Sequence, residues 1–197
     1  MSQLALLICG ALGKEVKSIV DQHGWDLDIY GVPAMHHFYP KKIVDAVDHR
    51  LTELSARYSR VVVVYGDCGT RGALGPVLDR HHAVRLPGPH CYEMFAGAEE
   101  FDLLSEEQPA TFFLTDWLVR NFERAVVRGL GLDRYPDLKP VYFQNYTNCI
   151  YLAQFQVETL RQKATEIAAY LELPLEIRRV GFGELESRLT ALVETAA

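Results

Sequence analysis

The segment RVVVVYGDCG, residues 60–69, is the part of the chain that decides the fold. Four consecutive valines followed by a tyrosine are typical of a parallel strand that is buried on both faces. The glycines on either side of Asp67 and Cys68 then predict a sharp turn directly after the strand, because glycine adopts backbone conformations that other residues avoid. Such a turn would bring the Cys68 thiol close to whatever lies at the carboxyl end of the strand.

Strand-like and helix-like segments alternate along the rest of the chain. Short apolar runs predict strands over residues 4–9, 27–32, 60–66, 82–86, 111–115, 140–144 and 175–180. Apolar residues at helical spacing predict helices over residues 14–22, 41–58, 117–127, 148–170 and 183–195. The acidic segment 99–109 is expected to be a surface loop. This alternation predicts an α/β fold with a single domain over residues 1–197, in which an open, mainly parallel sheet of six to seven strands carries helices on both faces.

The composition is that of an ordinary globular protein, with 49% hydrophobic and 23% charged residues among 197. A formal charge of −6 provides no basic surface for nucleic acid. No apolar run reaches the roughly 18 residues of a membrane span, and the start MSQLALLICG lacks the basic region of an export signal. We therefore expect a cytoplasmic protein that binds neither nucleic acid nor membrane, and a homo-oligomer remains an open alternative.

Four cysteines are the most informative residues of the chain. In a reducing cytoplasm they are not expected to form disulfides. Cys9 ends the first predicted strand, Cys68 follows the third, Cys91 follows the fourth and Cys149 follows the sixth. Because ligands of open parallel sheets bind outside the carboxyl ends of the strands, all four thiols are expected at that edge. Free cysteine is also a common core residue, and packing is the favoured role of Cys149, which begins an apolar helical segment.

Cys9, Cys68 and Cys91 are therefore candidate ligands of a shared metal centre. Three thiolates can hold an iron–sulfur cluster with one iron left open, and three thiolates with a histidine can form a zinc site. Soft thiolate ligands exclude magnesium and calcium. The chain has no CxxC or comparable local motif, so the assignment depends on the strand ends alone.

Several polar residues accompany the thiols. His37 is a candidate for metal binding or proton transfer, and the sequence does not distinguish it from its neighbour His36. His90, beside Cys91, is expected to lower the pKa of that thiol, as is a helix N-terminus there, and Asp67 would act as an acid or a hydrogen-bond acceptor beside Cys68. Loop and helix-capping roles are the structural alternatives for these residues. The residues expected to contact a cofactor or small molecule are Gly10, Gly66, Gly69 and Asn145.

Common nucleotide and hydrolase signatures are missing from the sequence. No GxGxxG motif follows the first strand, no GxxxxGK[ST] motif is present, and no GxSxG motif marks a nucleophilic serine. A dinucleotide enzyme, a P-loop nucleotidase and an α/β hydrolase are therefore not favoured.

A set of short motifs resembles the prokaryotic family known as domain of unknown function 1638. These motifs are CGAL (9–12), H-x-x-P (37–40), YGDCG (65–69), HCYE (90–93), TFFLTDW (111–117), LGLD (130–133) and YFQNY (142–146). The resemblance carries over Cys9, Cys68 and Cys91, together with His37 through its spacing from Pro40, whereas Cys149 does not match. Family members are associated with corrinoid-dependent methyl transfer, so the resemblance implies a corrinoid protein or a methyltransferase as a partner, but no particular reaction.

Three functions remain open at the level of the sequence. The first is a metal-binding protein with an iron–sulfur cluster or zinc that acts on a small molecule in corrinoid or one-carbon metabolism, for which an open metal position suits a lyase or a transferase. The second is an accessory protein that docks on a corrinoid-dependent methyltransferase system and uses its thiols for structure. The third is metal-free catalysis by Cys68 or Cys91, activated by His90 and a helix dipole.

Overall fold

The computed structural model describes residues 3–195 and has the α/β architecture that the sequence predicts. Seven strands are present in this part of the chain, and each pairs with its neighbours in parallel. They form two sheets, one of four strands and one of three, where the sequence predicted one sheet. The chain divides into two compact units: the first runs to Met94 and takes in the C-terminal segment from Glu184, and the second is Phe95–Gly183.

The helices and strands follow one another in regular alternation through most of the chain. The strands are β1 (Leu4–Cys9), β2 (Asp28–Val32), β3 (Arg60–Val64), β4 (Val84–Arg85), β5 (Thr111–Thr115), β6 (Asn148–Ala153) and β7 (Leu175–Arg179). The helices are α1 (Gly13–His23), α2 (Pro40–Ser55), α3 (Leu74–Arg80), α4 (Cys91–Ala96), α5 (Ala98–Glu107), α6 (Asp116–Phe122), α7 (Leu138–Phe143), α8 (Glu158–Leu171) and α9 (Glu184–Glu194). Short 3₁₀ segments, Gly10–Leu12 and Ala34–Phe38, follow β1 and β2. Across the described residues, we find no helix that combines the length and the apolar character of a membrane span.

The sheet of the first unit has the strand order β2-β1-β3-β4. From β1 the chain moves to β2 on one side and then crosses to β3 on the other side, which makes the carboxyl ends of β1 and β3 a topological switch point. The register places Ile8 of β1 opposite Val64 of β3. Loops that leave these two strand ends in different directions open a crevice, and such crevices are the usual ligand sites of parallel α/β sheets.

Apolar burial explains why β1 and β3 occupy the middle of this sheet. Leu6 and Leu7 of β1 and Val62 and Val63 of β3 are fully buried. Helix α2 contributes a buried apolar stripe at helical spacing, as its sequence predicts. The residues of this stripe are Ile43, Val47, Leu51 and Leu54. The central strands are therefore covered on their faces, which is the arrangement that near-continuous apolar runs require.

In the second unit the prediction of two elements is wrong. Residues 140–143 belong to helix α7 and Gln144 follows it, where a strand was predicted over 140–144, and 148–153 form strand β6 where a helix was predicted to begin. Short apolar runs of strand length cannot be assigned by periodicity alone, and Pro140 is tolerated because it lies in the first turn of its helix. The expected acidic loop over 99–109 is helix α5, whose charged residues face outward around the buried Leu104.

Cys149 is the second residue of β6 and is fully buried in the core of the second unit. It therefore lies near the amino end of its strand, and the expectation that it lies at the carboxyl edge is wrong. Burial alone raises the pKa of its thiol to about 12. Its position is that of a packing residue, which is the role favoured for it from the sequence.

A buried carboxylate ties the ends of β5 and β6 together in the second unit. Asp116, fully buried at the start of α6, accepts hydrogen bonds on Oδ1 from the Tyr151 hydroxyl at 2.7 Å and from the Gln154 N–H at 3.0 Å. Its Oδ2 accepts a bond from the Phe155 N–H at 3.3 Å. The Asp116 N–H in turn donates to Gln154 Oε1 at 2.7 Å. These bonds compensate the desolvation of the carboxylate.

We predict that Asp116→Asn lowers the free energy of unfolding by about 3 kcal/mol, because an amide cannot accept all the bonds that the buried carboxylate accepts. Asp133→Asn is the matched control: its side chain is 40% exposed and lies 3.9 Å from Arg134. That change is expected to cost less than about 0.5 kcal/mol. Urea denaturation measures both, and equal midpoints for the two variants would contradict the role of Asp116.

Candidate functional site

The carboxyl edge of the first sheet begins with Cys9 and Tyr65, the residues that follow the paired Ile8 and Val64. Both are buried, Cys9 at 4% and Tyr65 at 0% exposure. The Tyr65 hydroxyl lies beside the Cys9 thiol. Among residues 3–195, no group meets the geometric criteria for a hydrogen bond with this hydroxyl. Burial raises the pKa of Cys9 to about 11, although backbone N–H groups and this hydroxyl act in the opposite direction.

Cys68 lies in a tight loop that Asp67 organises. The Asp67 Oδ1 accepts bonds from the Thr70 hydroxyl and the Gly72 N–H, both at 2.8 Å, and Oδ2 accepts a bond from the Arg71 N–H at 2.9 Å. These bonds, that of Gly72 first, lower the pKa of Asp67. Both carboxylate oxygens therefore accept bonds from the loop itself, which fits the hydrogen-bond acceptor of the two roles that the sequence suggested for Asp67, an acid or an acceptor.

The loop holds Cys68 in an unfavourable backbone conformation. Its φ is +46°, and that of Gly69 is +81°. A non-glycine residue in the left-handed region costs about 1–3 kcal/mol and persists only where its surroundings fix it. Of the two glycines expected to adopt such conformations, Gly69 has a positive φ and Gly66 does not, whereas Cys68 itself has one. Strain of this kind is concentrated at functional positions.

Gly66 allows the loops after β3 and β4 to touch. A Cβ atom at this position would lie 2.5 Å from His90 Cα and 2.9 Å from Pro89 O, distances that no side chain tolerates. The Cys68 N–H donates to Pro89 O at 3.0 Å across the same contact. The glycine is thus required for close packing of two backbone segments, and the segment it contacts leads directly into Cys91.

Cys91 is the first residue of α4 and completes the group of three thiols. Burial raises its pKa well above the usual range, and the neighbouring thiols of Cys68 and Cys9 and the carboxylate of Glu15 raise it further. Burial likewise raises the pKa of Cys68 to about 12, with Cys9 as the next cause. The three thiols, at the end of β1, in the loop after β3 and at the start of α4, are therefore close enough for their charges to interact.

The donor groups do not form a ready-made ion site in their present positions. Across residues 3–195, no three or more His, Cys, Asp and Glu side chains are arranged so that they could hold a metal ion. Burial raises the pKa of each thiol, and neighbouring thiols raise the pKa of Cys68 and Cys91 further, so the neutral thiol form is favoured at all three.

The histidines differ in their relation to this thiol site, which we define as Cys9, Cys68 and Cys91. His37 stacks on Tyr65 with 5.7 Å between ring centroids, and its Nδ1 lies 2.7 Å from Ala34 O. Desolvation lowers the pKa of His37 even though the residue is exposed overall, which favours the neutral imidazole. The Nδ1 atom of His36 is buried without a partner among the described residues.

The expected activation of Cys91 by His90 is not found. Desolvation lowers the pKa of His90, although the charge of Glu93 opposes the change. The pKa of the Cys91 thiol is raised, first by burial, so the lowering expected from His90 is not seen.

Sequence reasoning missed two charged residues beside the thiols. Glu15 is 2% exposed in the first turn of α1, and it lies four residues before the buried Ile19 on the same helical face. An acidic residue at an apolar-face position is the signal that could have identified it. Arg85 donates from Nη1 to Tyr65 O at 2.9 Å, and its charge lowers the pKa of Cys68.

Two other predicted contact residues have different positions. A Cβ at Gly10 would lie 3.0 Å from Val32 O, so this glycine permits the chain after β1 to pass close to the end of β2. Asn145 is exposed in the turn that precedes β6, at the amino end of that strand and in the second unit. The strand that was expected to present Asn145 is helix α7, so the reason for placing it in a site no longer holds.

The fold and the site define an α/β protein whose parallel sheet carries three thiols at a switch point. The chain belongs to the family described as protein of unknown function (DUF1638), whose sequence profile matches residues 32–189. The match includes Cys68, Cys91 and His37, and Cys9 precedes it. No curated protein and no solved structure matches the chain.

We predict that Gly66→Ala destabilises the protein by about 2–3 kcal/mol, because the added methyl group would overlap the backbone at His90 and force the two loops apart. Gly75→Ala is the control: this glycine lies in α3 with nothing within 4 Å of the added atom. Alanine there is expected to be neutral or slightly stabilising, since it favours helix. Thermal unfolding compares the two variants, and a Gly66→Ala protein with the melting temperature of wild type would contradict the close contact.

Proposed function

We propose that the protein binds an iron–sulfur cluster through Cys9, Cys68 and Cys91 and uses it on a small molecule. The observation that carries this proposal is the grouping of one buried and two half-buried thiols at the switch point of the first sheet, where neighbouring thiols raise the pKa of Cys68 and Cys91. Buried thiolates that repel one another do not ionise together unless a cation compensates them. A bound metal supplies that cation, because it deprotonates coordinating thiols outright.

Backbone groups near the sulfurs support the same proposal. The backbone at Ala11 and Leu12, in the 3₁₀ segment that follows β1, acts to lower the pKa of Cys9. The backbone at Gly66 acts in the same direction on the pKa of Cys68. Polar backbone groups of this kind favour the thiolate form, and they are one means by which proteins tune cluster potentials.

A three-cysteine cluster has one iron without a cysteine ligand, and this iron can act as a Lewis acid on a small molecule. The neutral His37, stacked on the buried Tyr65, is suited to proton transfer at the rim of such a site. A lyase or transferase reaction fits this combination. The link to corrinoid-dependent one-carbon metabolism is part of the proposal and comes from the family resemblance, which also suggests a corrinoid protein or methyltransferase as a partner.

Zinc is the second candidate metal. Three thiolates with one neutral imidazole form a common zinc ligand set, and His37 supplies an imidazole that is uncharged at neutral pH. An iron–sulfur cluster is coloured and requires sulfide, whereas bound zinc is colourless and requires none. The spectrum and the elemental analysis of one preparation therefore distinguish the two metals.

The test is anaerobic purification and reconstitution with iron and sulfide, followed by visible spectroscopy and elemental analysis. We predict about four irons per chain for a [4Fe–4S] cluster. Cys68→Ser is expected to lose at least about 90% of the bound metal, because a hydroxyl is a hard and poor substitute for a thiolate. Cys149→Ala should keep its metal, since this thiol is packed in the core of the second unit.

A wild-type protein that takes up neither iron nor zinc would contradict the proposal and leave docking to a methyltransferase system as the function to test. Loss of metal from Cys149→Ala but not from Cys68→Ser would show that the wrong thiols had been assigned. Gly69→Val adds a further check: a β-branched residue at φ +81° distorts the loop of Cys68, so metal content should fall by a larger fraction than the melting temperature.

A further inference from the structure

An arginine from the C-terminal helix reaches the segment that carries Cys91. Arg188 of α9 donates from Nη1 to Glu93 Oε2 at 2.8 Å and from Nη2 to Glu93 Oε1 at 2.5 Å. Its Nη1 also donates to Pro87 O at 2.9 Å, and Glu184 pairs with Nη2 from one turn earlier in α9. The Arg188 side chain is 15% exposed and that of Glu93 is 8% exposed. The pair is therefore bidentate and largely shielded from water.

The backbone between these contacts is shaped around the ion pair. Gly88 has φ +126°, and a Cβ atom there would lie 2.5 Å from Glu93 Oε2 and 2.9 Å from Arg188 Nη1. The carboxylate and the guanidinium thus lie directly against this glycine. Arg85 adds a bond from its Nη1 to Gly88 O at 3.3 Å. The segment 87–93 is held at Pro87, at Gly88 and at Glu93.

Cys91 lies between these anchor points, two residues before Glu93 and three after Gly88. Glu93 occupies the first turn of α4, so its fixation sets the position of the helix start at which the Cys91 thiol is presented. The planar guanidinium constrains both the distance and the orientation of the carboxylate, which a single point charge does not do. The anchoring helix is remote in sequence, 95 residues beyond Glu93.

We propose that Arg188 is a positioning residue of the thiol site, which through Glu93 holds the 87–93 segment and fixes Cys91 relative to Cys9 and Cys68. The inference rests on the proposed function, because it takes Cys91 as a ligand. The positioning itself is a property of the metal-free protein and can be measured there. Arg188 contacts no reacting group and acts only through Glu93.

The first experiment measures alkylation of individual cysteines in the full, metal-free chain by iodoacetamide, with mass spectrometry to resolve each site. Arg188→Gln is expected to raise the rate at Cys91 by about tenfold, because release of the segment exposes that thiol through local opening. The rates at Cys9 and Cys149 are expected to change by less than about twofold, since those residues lie in strands outside the clamped segment.

Two variants separate positioning from general stability. Arg188→Lys keeps the charge but not the bidentate geometry, so we expect a rate at Cys91 between those of wild type and Arg188→Gln. Glu93→Gln should reproduce the effect of Arg188→Gln, and the double variant should add little to either. Arg50→Gln is the matched control, because Arg50 pairs with Glu53 on the exposed side of α2 in the same unit.

The second experiment reconstitutes the same variants with iron and sulfide. Arg188→Gln should bind less iron than wild type by about threefold or more, or give a changed visible spectrum, and Arg188→Lys should restore part of the difference. An unchanged rate at Cys91 in Arg188→Gln would overturn the inference, and so would an equal increase at all four cysteines, which reports unfolding. If wild type binds no metal but the alkylation rate in Arg188→Gln rises at Cys91 alone, the proposed function fails and the positioning role stands.

Discussion

Parallel pairing of β1 with β3 is the constraint on which the site depends. The register that sets Ile8 opposite Val64 also sets Cys9 beside Tyr65 at the point where both strands end. Because β2 lies on the far side of β1, the loops after β1 and β3 part from each other and leave room for the Cys68 loop to turn inward. A slip of one residue in this register would move every side chain of β1 to the opposite face, so the buried apolar core also fixes the site.

Several unfavourable features of the first unit lie at this one edge. A cysteine with positive φ, a glycine that no larger residue can replace, and two thiols whose pKa is raised by neighbouring thiols all lie in or beside the Cys68 loop. The segments that carry these features are held by hydrogen bonds from Asp67 and by the pair of Arg188 with Glu93. Natural proteins tend to violate the rules of stable design at functional sites. The coincidence of these features at one edge is therefore a physical indication of function.

The first half of the chain could be predicted well because its signals are redundant. Runs of β-branched residues, helical spacing in α2 and glycine-bounded turns all agree there, and three of the four cysteines were placed correctly. The interval 138–153 could not be predicted, because α7 and β6 are apolar runs of equal length, six residues each, which periodicity does not separate. Glu15 was missed although an acidic residue on an apolar helix face is a signal that the sequence carries. Arg188 was missed because its role depends on Glu93, which is distant in sequence, and single-residue patterns carry no such information.

The four cysteines show why burial alone does not identify a functional thiol. Cys149 and Cys9 are both almost fully buried, and burial raises the pKa of both. Burial is the only cause of the shift at Cys149, whose neighbours are apolar. Cys9 instead has backbone N–H donors, a tyrosine hydroxyl and two other thiols around it. Both residues are cysteines of the same chain, so the difference in their surroundings arises from the end of the strand at which each lies. At an amino end the thiol fills a core, whereas at the carboxyl end beside a switch point it meets the loops of neighbouring strands and acquires the polar surroundings that a ligand needs.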